Sequence, residues 1–346
     1  MTRRDIVVIG GSAGGIHALR SLVAELSPKW NATLFVVIHI SPDSPGLLPE
    51  ILTREGPLPA APAANGERFA PGRIYVAPPD RHLLLEAGGF MRLTYGPREN
   101  RSRPAIDPLF RSAALAYGPR VVGVLLSGGL DDGVAGLGAI KSVGGFTIVQ
   151  DPEEAEVASM PRNALRQVAI DRIARVGQIA FLLGELSQGK QPGRARPGEI
   201  EAMSNKELEI EVRQSQEKEG YRPDIMELGS PSMLACPECH GTLLRLNDQH
   251  VLRFRCHTGH AFTANSLLAA IKERIEEALW TSLSAIEESA MLLGHMANHL
   301  PRERDGATSE TFRHASEEAL GRAQAVRAII GDGRDKLPAP AMREAE

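Results

Sequence analysis

Ile6-Val7-Val8-Ile9-Gly10-Gly11-Ser12-Ala13-Gly14-Gly15 runs four apolar β-formers straight into a glycine-rich turn around one serine. An unbroken apolar run of this kind reads as a strand buried on both faces, as in a parallel sheet. The glycines let the chain bend into a helix predicted over 15–26, and the G-x-S-x-G pattern holds the Ser12 hydroxyl proud of the sheet. That helix would aim its free amides and positive dipole end at the same spot, which suits a developing oxyanion. A dinucleotide-binding G-x-G-x-x-G is the rival pattern, but it needs glycine where Ser12 stands. A plain helix cap is the other reading of Ser12.

Outward from this turn, strand and helix patterns alternate to about residue 185. Strands are predicted at 6–9, 33–38, 74–77, 82–86, 90–95, 121–126 and 147–150. Helices are predicted at 15–26, 107–117 and 134–142, and one begins near 161–168. The alternation implies an α/β fold: a doubly wound, mostly parallel sheet with helices on both faces, and a β-rich insertion around 74–95. With 346 residues, 42% hydrophobic content and a net charge of −4, the chain has apolar mass for a real core and no global electrostatic case for nucleic acid or an anionic membrane. It has no apolar run near the roughly 18 residues of a membrane span, and Met1-Thr2-Arg3-Arg4-Asp5 lacks a signal-peptide core. A cytoplasmic protein without direct membrane insertion is expected.

Composition divides the chain into a catalytic domain at 1–188, a linker at 189–232 with a short helix near 206–218, a small module at 233–263, a helical hairpin at 264–331 and a flexible tail at 332–346. In the small module Cys236-x2-Cys239 and Cys256-x3-His260 have the layout of two zinc knuckles, with 243–246 and 251–254 able to pair as a hairpin. His240 and His257 compete with His260 as fourth ligand. A closed Cys3His set leaves no open position, so a structural zinc is expected and no metal for catalysis. The apolar residues from Leu267 to Leu293, and from Phe312 to Ile330, recur at helical spacing.

Three polar residues follow predicted strands: Ser12, His39 and Asp132. Sites in open parallel sheets form at the carboxyl ends of strands. Strands 6–9 and 33–38, joined by one crossover, can be neighbours, so His39 could take the Ser12 proton while Asp132 orients the imidazole. Each has a plainer reading, as a cap, a structural histidine or a turn aspartate, and Asp131 competes with Asp132. His17 and His82 read as structural.

Five ordered motifs over about residues 4–185 resemble the catalytic domain of the CheB protein-glutamate methylesterases: the serine turn, Val37-Ile38-His39, Arg103-Pro104-Ala105-Ile106-Asp107-Pro108-Leu109-Phe110, the run Ser127 to Leu137, and Gln150-Asp151 with Met160-Pro161-Arg162-Asn163-Ala164. By motif position the family's nucleophile falls on Ser12, its histidine on His39 and its aspartate on Asp132. The resemblance implies hydrolysis of glutamyl methyl esters on chemoreceptor-like proteins, with glutamine deamidation as a second activity. Backbone amides of Ala13, Gly128 and Gly129 are the candidates for the oxyanion site.

Departures are visible too. A receiver domain commonly precedes the family's catalytic domain, whereas strand-like sequence here starts at about residue 5, so control by phosphorylation within this chain is not expected. Gly129-Leu130 stands where the family carries Met-Gly, and Ala13 replaces a common threonine. The alternative function is a non-catalytic scaffold for receptor-like helices. A zinc-dependent nucleic-acid regulator is disfavoured by the mixed charge around the cysteines. The C-terminal module is the expected seat of a regulatory protein partner.

Overall fold

The computed structural model describes residues 3–190, 205–216, 223–248, 251–299 and 306–332. The parts of the expected linker at 191–204 and 217–222, and the expected tail beyond 332, lie outside the described residues. Two compact units are present, Met1–Leu268 and Ala269–Glu346.

In the first unit the chain forms β1 (Ile6–Gly11), α1 (Gly15–Ala24), β2 (Thr33–Ile38), α2 (Leu48–Glu55), β3 (Ala60–Pro62), β4 (Ile74–Val76), β5 (His82–Glu86), β6 (Phe90–Thr94), α3 (Ile106–Tyr117), β7 (Val121–Leu125) and α4 (Val134–Ser142). There follow β8 (Phe146–Gln150), α5 (Ser159–Gln167), β9 (Arg172–Ala174), α6 (Val176–Ser187), α7 (Asn205–Gln214), β10 (Gly229–Ala235), β11 (Thr242–Leu246), β12 (Arg253–Cys256) and β13 (Ala261–Thr263). Helix α8 (Ala264–His299) begins there, and α9 (Gly306–Asp332) belongs to the second unit.

Seven strands form one parallel sheet in the order β3-β4-β2-β1-β7-β8-β9. β1 is central and wholly buried, and alternation splits its side chains between two cores. Ile6 and Val8 join α3, α4 and the β5–β6 hairpin; Val7 and Ile9 join α1, α2 and α6. Burying each such side chain stabilises the fold by about 1.5–3 kcal/mol. The doubly wound expectation is met, and the 74–95 insertion is β4 plus the separate β5–β6 hairpin. Short α2, β3 and β9 carried too few periodic residues to be read in advance.

The segment read as a linker is partly structural. α7 lies within it, and Leu208 and Val212 are buried in the same core as Ile6 and Val8. The small module is a four-stranded antiparallel sheet, β10-β11-β12-β13, starting at Gly229 and so reaching back into the supposed linker. In the second unit Leu283 packs with Ala323 and Ile330, and Arg327 pairs with Glu287 at 2.6 Å. α9 runs one residue past Gly331, the expected stop. Among the described residues, no helix is long and apolar enough to cross a membrane.

Candidate active site and metal centre

β1 sits between β2 and β7, so one turn at its carboxyl end meets the chain leaving both neighbours. This is where the direction of winding reverses, the usual site position in open α/β sheets. The register pairs Gly11 with Ile38, which makes Ser12 and His39 the next positions, and the His39 N–H donates to Gly11 O at 3.1 Å. On the other side the Ser12 N–H donates to Ser127 O at 2.9 Å. Gly14 closes the turn at φ +75°, where a Cβ would lie 2.6 Å from the side chains of Glu156 and Ser127, so glycine is required.

His39 Nε2 and Asp132 Oδ2 are 2.7 Å apart. Asp132 is 2% exposed and accepts four further hydrogen bonds. Oδ2 receives the Ile106 N–H at 2.7 Å, and Oδ1 receives the N–H groups of Asp107 (3.3 Å) and Gly133 (3.0 Å) and Asn100 Nδ2 (3.0 Å). Ile106 and Asp107 open α3, whose own N-cap, Ala105, has no capping side chain. Asp132 caps that helix from a distant loop, and the helix dipole favours its charge. Burial alone would raise the Asp132 carboxyl, but the hydrogen bond and charge of His39, with the Ile106 and Asn100 donors, hold it below the usual range. The neighbouring Asp107 goes the other way: burial first, then the Asp132 charge, push it up to about 8.

Asp131 faces away from His39. Its carboxylate accepts from Thr263 Oγ1 and, at 3.0 Å, from Asn265 Nδ2. His82 is fully buried, accepting the Ala105 N–H at Nδ1 and donating Nε2–H to Pro97 O, while His17 is exposed. Of the three oxyanion candidates Gly128 is occupied, because its N–H donates to Val157 O at 3.0 Å. Ala13, exposed, and Gly129, half-buried, remain.

The sequence reading missed Asn100 and the ion cluster behind it. Glu99 and Glu211 are buried among Arg111, Arg253 and Arg255, each at most 6% exposed. Arg253 holds Glu211 by two hydrogen bonds (2.7 and 2.8 Å), Arg255 reaches Glu99 at 3.2 Å, and Arg111 contacts both acids. Burial would raise Glu211, but Arg253 and Arg111 hold it at about 2. Arg253 and Arg255, part of the mixed charge around the cysteines, are therefore consumed inside the fold. Charged residues on short strands give no sign of burial in a single sequence.

The four residues Cys236, Cys239, Cys256 and His260 come together with their ligand atoms all within 4.8 Å of one another. Two tight turns present them: the His240 N–H donates to Cys236 O with His240 at φ +61°, and the Gly259 N–H donates to Cys256 O with Gly259 at φ +101°. Hydrogen bonding from Cys236 outweighs burial and lowers the Cys256 thiol, with His260 adding to the effect. Three clustered sulfurs and an imidazole, one thiol already inclined to ionise, fit a tetrahedral thiophilic cation. His240 and His257 are not part of the group.

Residues 7–183 match the family described as CheB methylesterase. A relative from Leptospira interrogans is 38% identical over 184 residues, 53% of this chain and 95% of that protein. A protein-glutamate methylesterase/protein-glutamine glutaminase from Anaeromyxobacter dehalogenans is 40% identical over 186 residues, 54% of each chain. The crystal structure of the Thermotoga maritima CheB methylesterase catalytic domain superposes with a TM-score of 0.52 at 33% identity, covering 54% of this chain and all of that one.

Proposed function

The chain belongs to the CheB methylesterase family, and from that membership and the geometry around β1 we propose that it removes methyl esters from glutamate side chains of chemoreceptor-like proteins, through Ser12, His39 and Asp132. The observation that carries this reading is the 2.7 Å contact of His39 Nε2 with the buried Asp132 carboxylate, at the strand end beside Ser12. Asp132 accepts the Nε2 proton, which leaves Nδ1 with a lone pair for the Ser12 hydroxyl. Ser12 Oγ attacks the ester carbonyl, its proton passes to Nδ1, and the amides of Ala13 and Gly129 receive the oxyanion. Imidazolium then protonates departing methoxide to methanol. Water, deprotonated at Nδ1, cleaves the acyl-enzyme to glutamate and free Ser12. A glutamine side chain would follow the same course with ammonia leaving, which supports the deamidase activity.

No group beyond these residues is required for the chemistry. Cys236, Cys239, Cys256 and His260 would hold a zinc ion that ties β10–β11 to β12–β13 and takes no part in the reaction. We infer a cytoplasmic enzyme, a regulatory protein partner at the C-terminal module, and no nucleic-acid role, given the pairing of Arg253 and Arg255. Catalysis is assigned to 1–188, with α7 packed into the same core.

Methanol release from a methylated chemoreceptor cytoplasmic domain, wild type beside Ser12→Ala, tests the reading. Loss of a triad nucleophile lowers kcat by several orders of magnitude; equal release by both would discard the assignment.

A further inference from the structure

Asn100 uses its N–H and both ends of its side-chain amide to join two parts of the first unit. Its N–H donates to Ala261 O at 2.8 Å. Its Oδ1 accepts the Thr263 N–H and the Ser266 hydroxyl, both at 2.9 Å. Its Nδ2 donates to Asp132 Oδ1 and to Asp107 Oδ2, both at 3.0 Å. A backbone N–H can only donate, so Thr263 fixes which end of the amide is oxygen and thereby turns the NH2 group onto Asp132. Asn100 is 7% exposed and sits at φ +49°, followed by Arg101 at φ +70°, a strained pair held in place by its surroundings. Beside it, the hydroxyl of Thr263 and the amide of Asn265 hold Asp131, the residue next to Asp132.

We propose that Thr263 and Ser266 are positioning residues for the esterase, acting through Asn100 to orient the Asp132 carboxylate toward His39. Both lie beyond residues 7–183, the part that matches the family, and the inference rests on Asp132 being the triad carboxylate. Thr263 ends β13 and Ser266 lies in the first turn of α8, three residues apart, with Ser266 N–H donating to Thr263 Oγ1 at 3.2 Å. β13 follows His260 directly, and Ala261 carries the carbonyl that receives the Asn100 N–H. The C-terminal module thus supplies the orienting donors that the catalytic domain lacks. Without the Ser266 hydroxyl the Asn100 amide is held by the Thr263 N–H alone, so its donor to Asp132 is less firmly placed, while the three backbone donors remain.

The test uses the full chain and methanol release from a methylated chemoreceptor cytoplasmic domain. Ser266→Ala removes one of the two donors to Asn100 Oδ1, and Thr263→Val keeps the Thr263 N–H but removes the hydroxyl that holds Ser266 and Asp131. Each should lower kcat about tenfold with KM changed by less than about twofold, the size expected for one buried hydrogen bond. The proton NMR resonance of the His39–Asp132 hydrogen should shift in both, and Thr263→Ser should restore wild-type behaviour. Ser266→Ala removes a single oxygen atom, so it decides the matter if Thr263→Val proves unstable. Wild-type kcat and an unmoved resonance in Ser266→Ala, with Ser12→Ala inactive, would overturn the proposal. An active Ser12→Ala would instead overturn the triad reading on which it stands.

Discussion

His39 meets Asp132 through Nε2, so in the proposed triad Nδ1 is the nitrogen that would serve Ser12. Asp132→Asn would present an NH2 group to Nε2 and drive the ring proton onto Nδ1, the wrong tautomer for a base. We expect kcat to fall by about 10³–10⁴ with little change in KM. Steady-state methanol release measures both, and a fall below tenfold would contradict the assigned ring orientation.

Asp107 makes folding stability depend on pH. Its folded carboxyl titrates near 8, raised first by burial and then by the Asp132 charge, against an ordinary value of 3.8. Between those values the folded state holds a proton that the unfolded chain has lost. The contribution is intact below pH about 3.8 and is lost as pH rises toward 8, with a slope approaching 1.4 kcal/mol per pH unit. Urea titrations from pH 5 to 8 should show this decline, and Asp107→Asn should flatten it.

Glu211 gives the opposite sign. Held at about 2 by Arg253 and Arg111, it contributes stability above pH about 4.5 that is lost as pH falls toward 2. Among the described residues, Glu211→Ala leaves Arg111, Arg253 and Arg255 with ion pairs to Glu99 and Asp248 alone. Removing one partner of a buried ion cluster costs about 3–5 kcal/mol. Chemical denaturation should show a loss in that range, and a change under 1 kcal/mol would mean that the cluster is solvated.

The cysteine group should carry one zinc per chain, released by thiol modification and measured by a colorimetric chelator. Cys256→Ser should abolish stoichiometric zinc and lower the thermal midpoint by several degrees, because binding free energy at such sites is folding free energy. Full zinc occupancy in Cys256→Ser would contradict the ligand set.

Local signals in the sequence were sufficient for the five inner strands of the main sheet. Ile6–Ile9 has the unbroken apolar run of a doubly covered strand, and the positions of Ser12 and His39 follow from two strand ends one crossover apart. The knuckle spacing likewise announces the cysteine cluster. Asn100 was illegible because its role is set by partners at Thr263 and Ser266, more than 160 positions away. Glu211 and Arg253 read as ordinary surface charges until the fold places them face to face, and the helix expected near 206–218 gave no sign of its burial because Leu208, Ile210 and Val212 alternate with charged residues. Gly128 was misjudged as an oxyanion donor because its N–H is claimed by Val157, which arrives from a different loop.

The burial of α7 changes what counts as an exchangeable piece of this enzyme. Cutting after residue 188, just past the part that matches the family, would remove Leu208 and Val212 from the main core and strip Arg111 of Glu211. A chimera made by grafting 1–188 onto a foreign tail would inherit an open apolar seam and an unbalanced buried guanidinium. The heritable cassette is therefore longer than the homology, and recombination that respects function has to carry α7 and the cysteine sheet along with the catalytic strands.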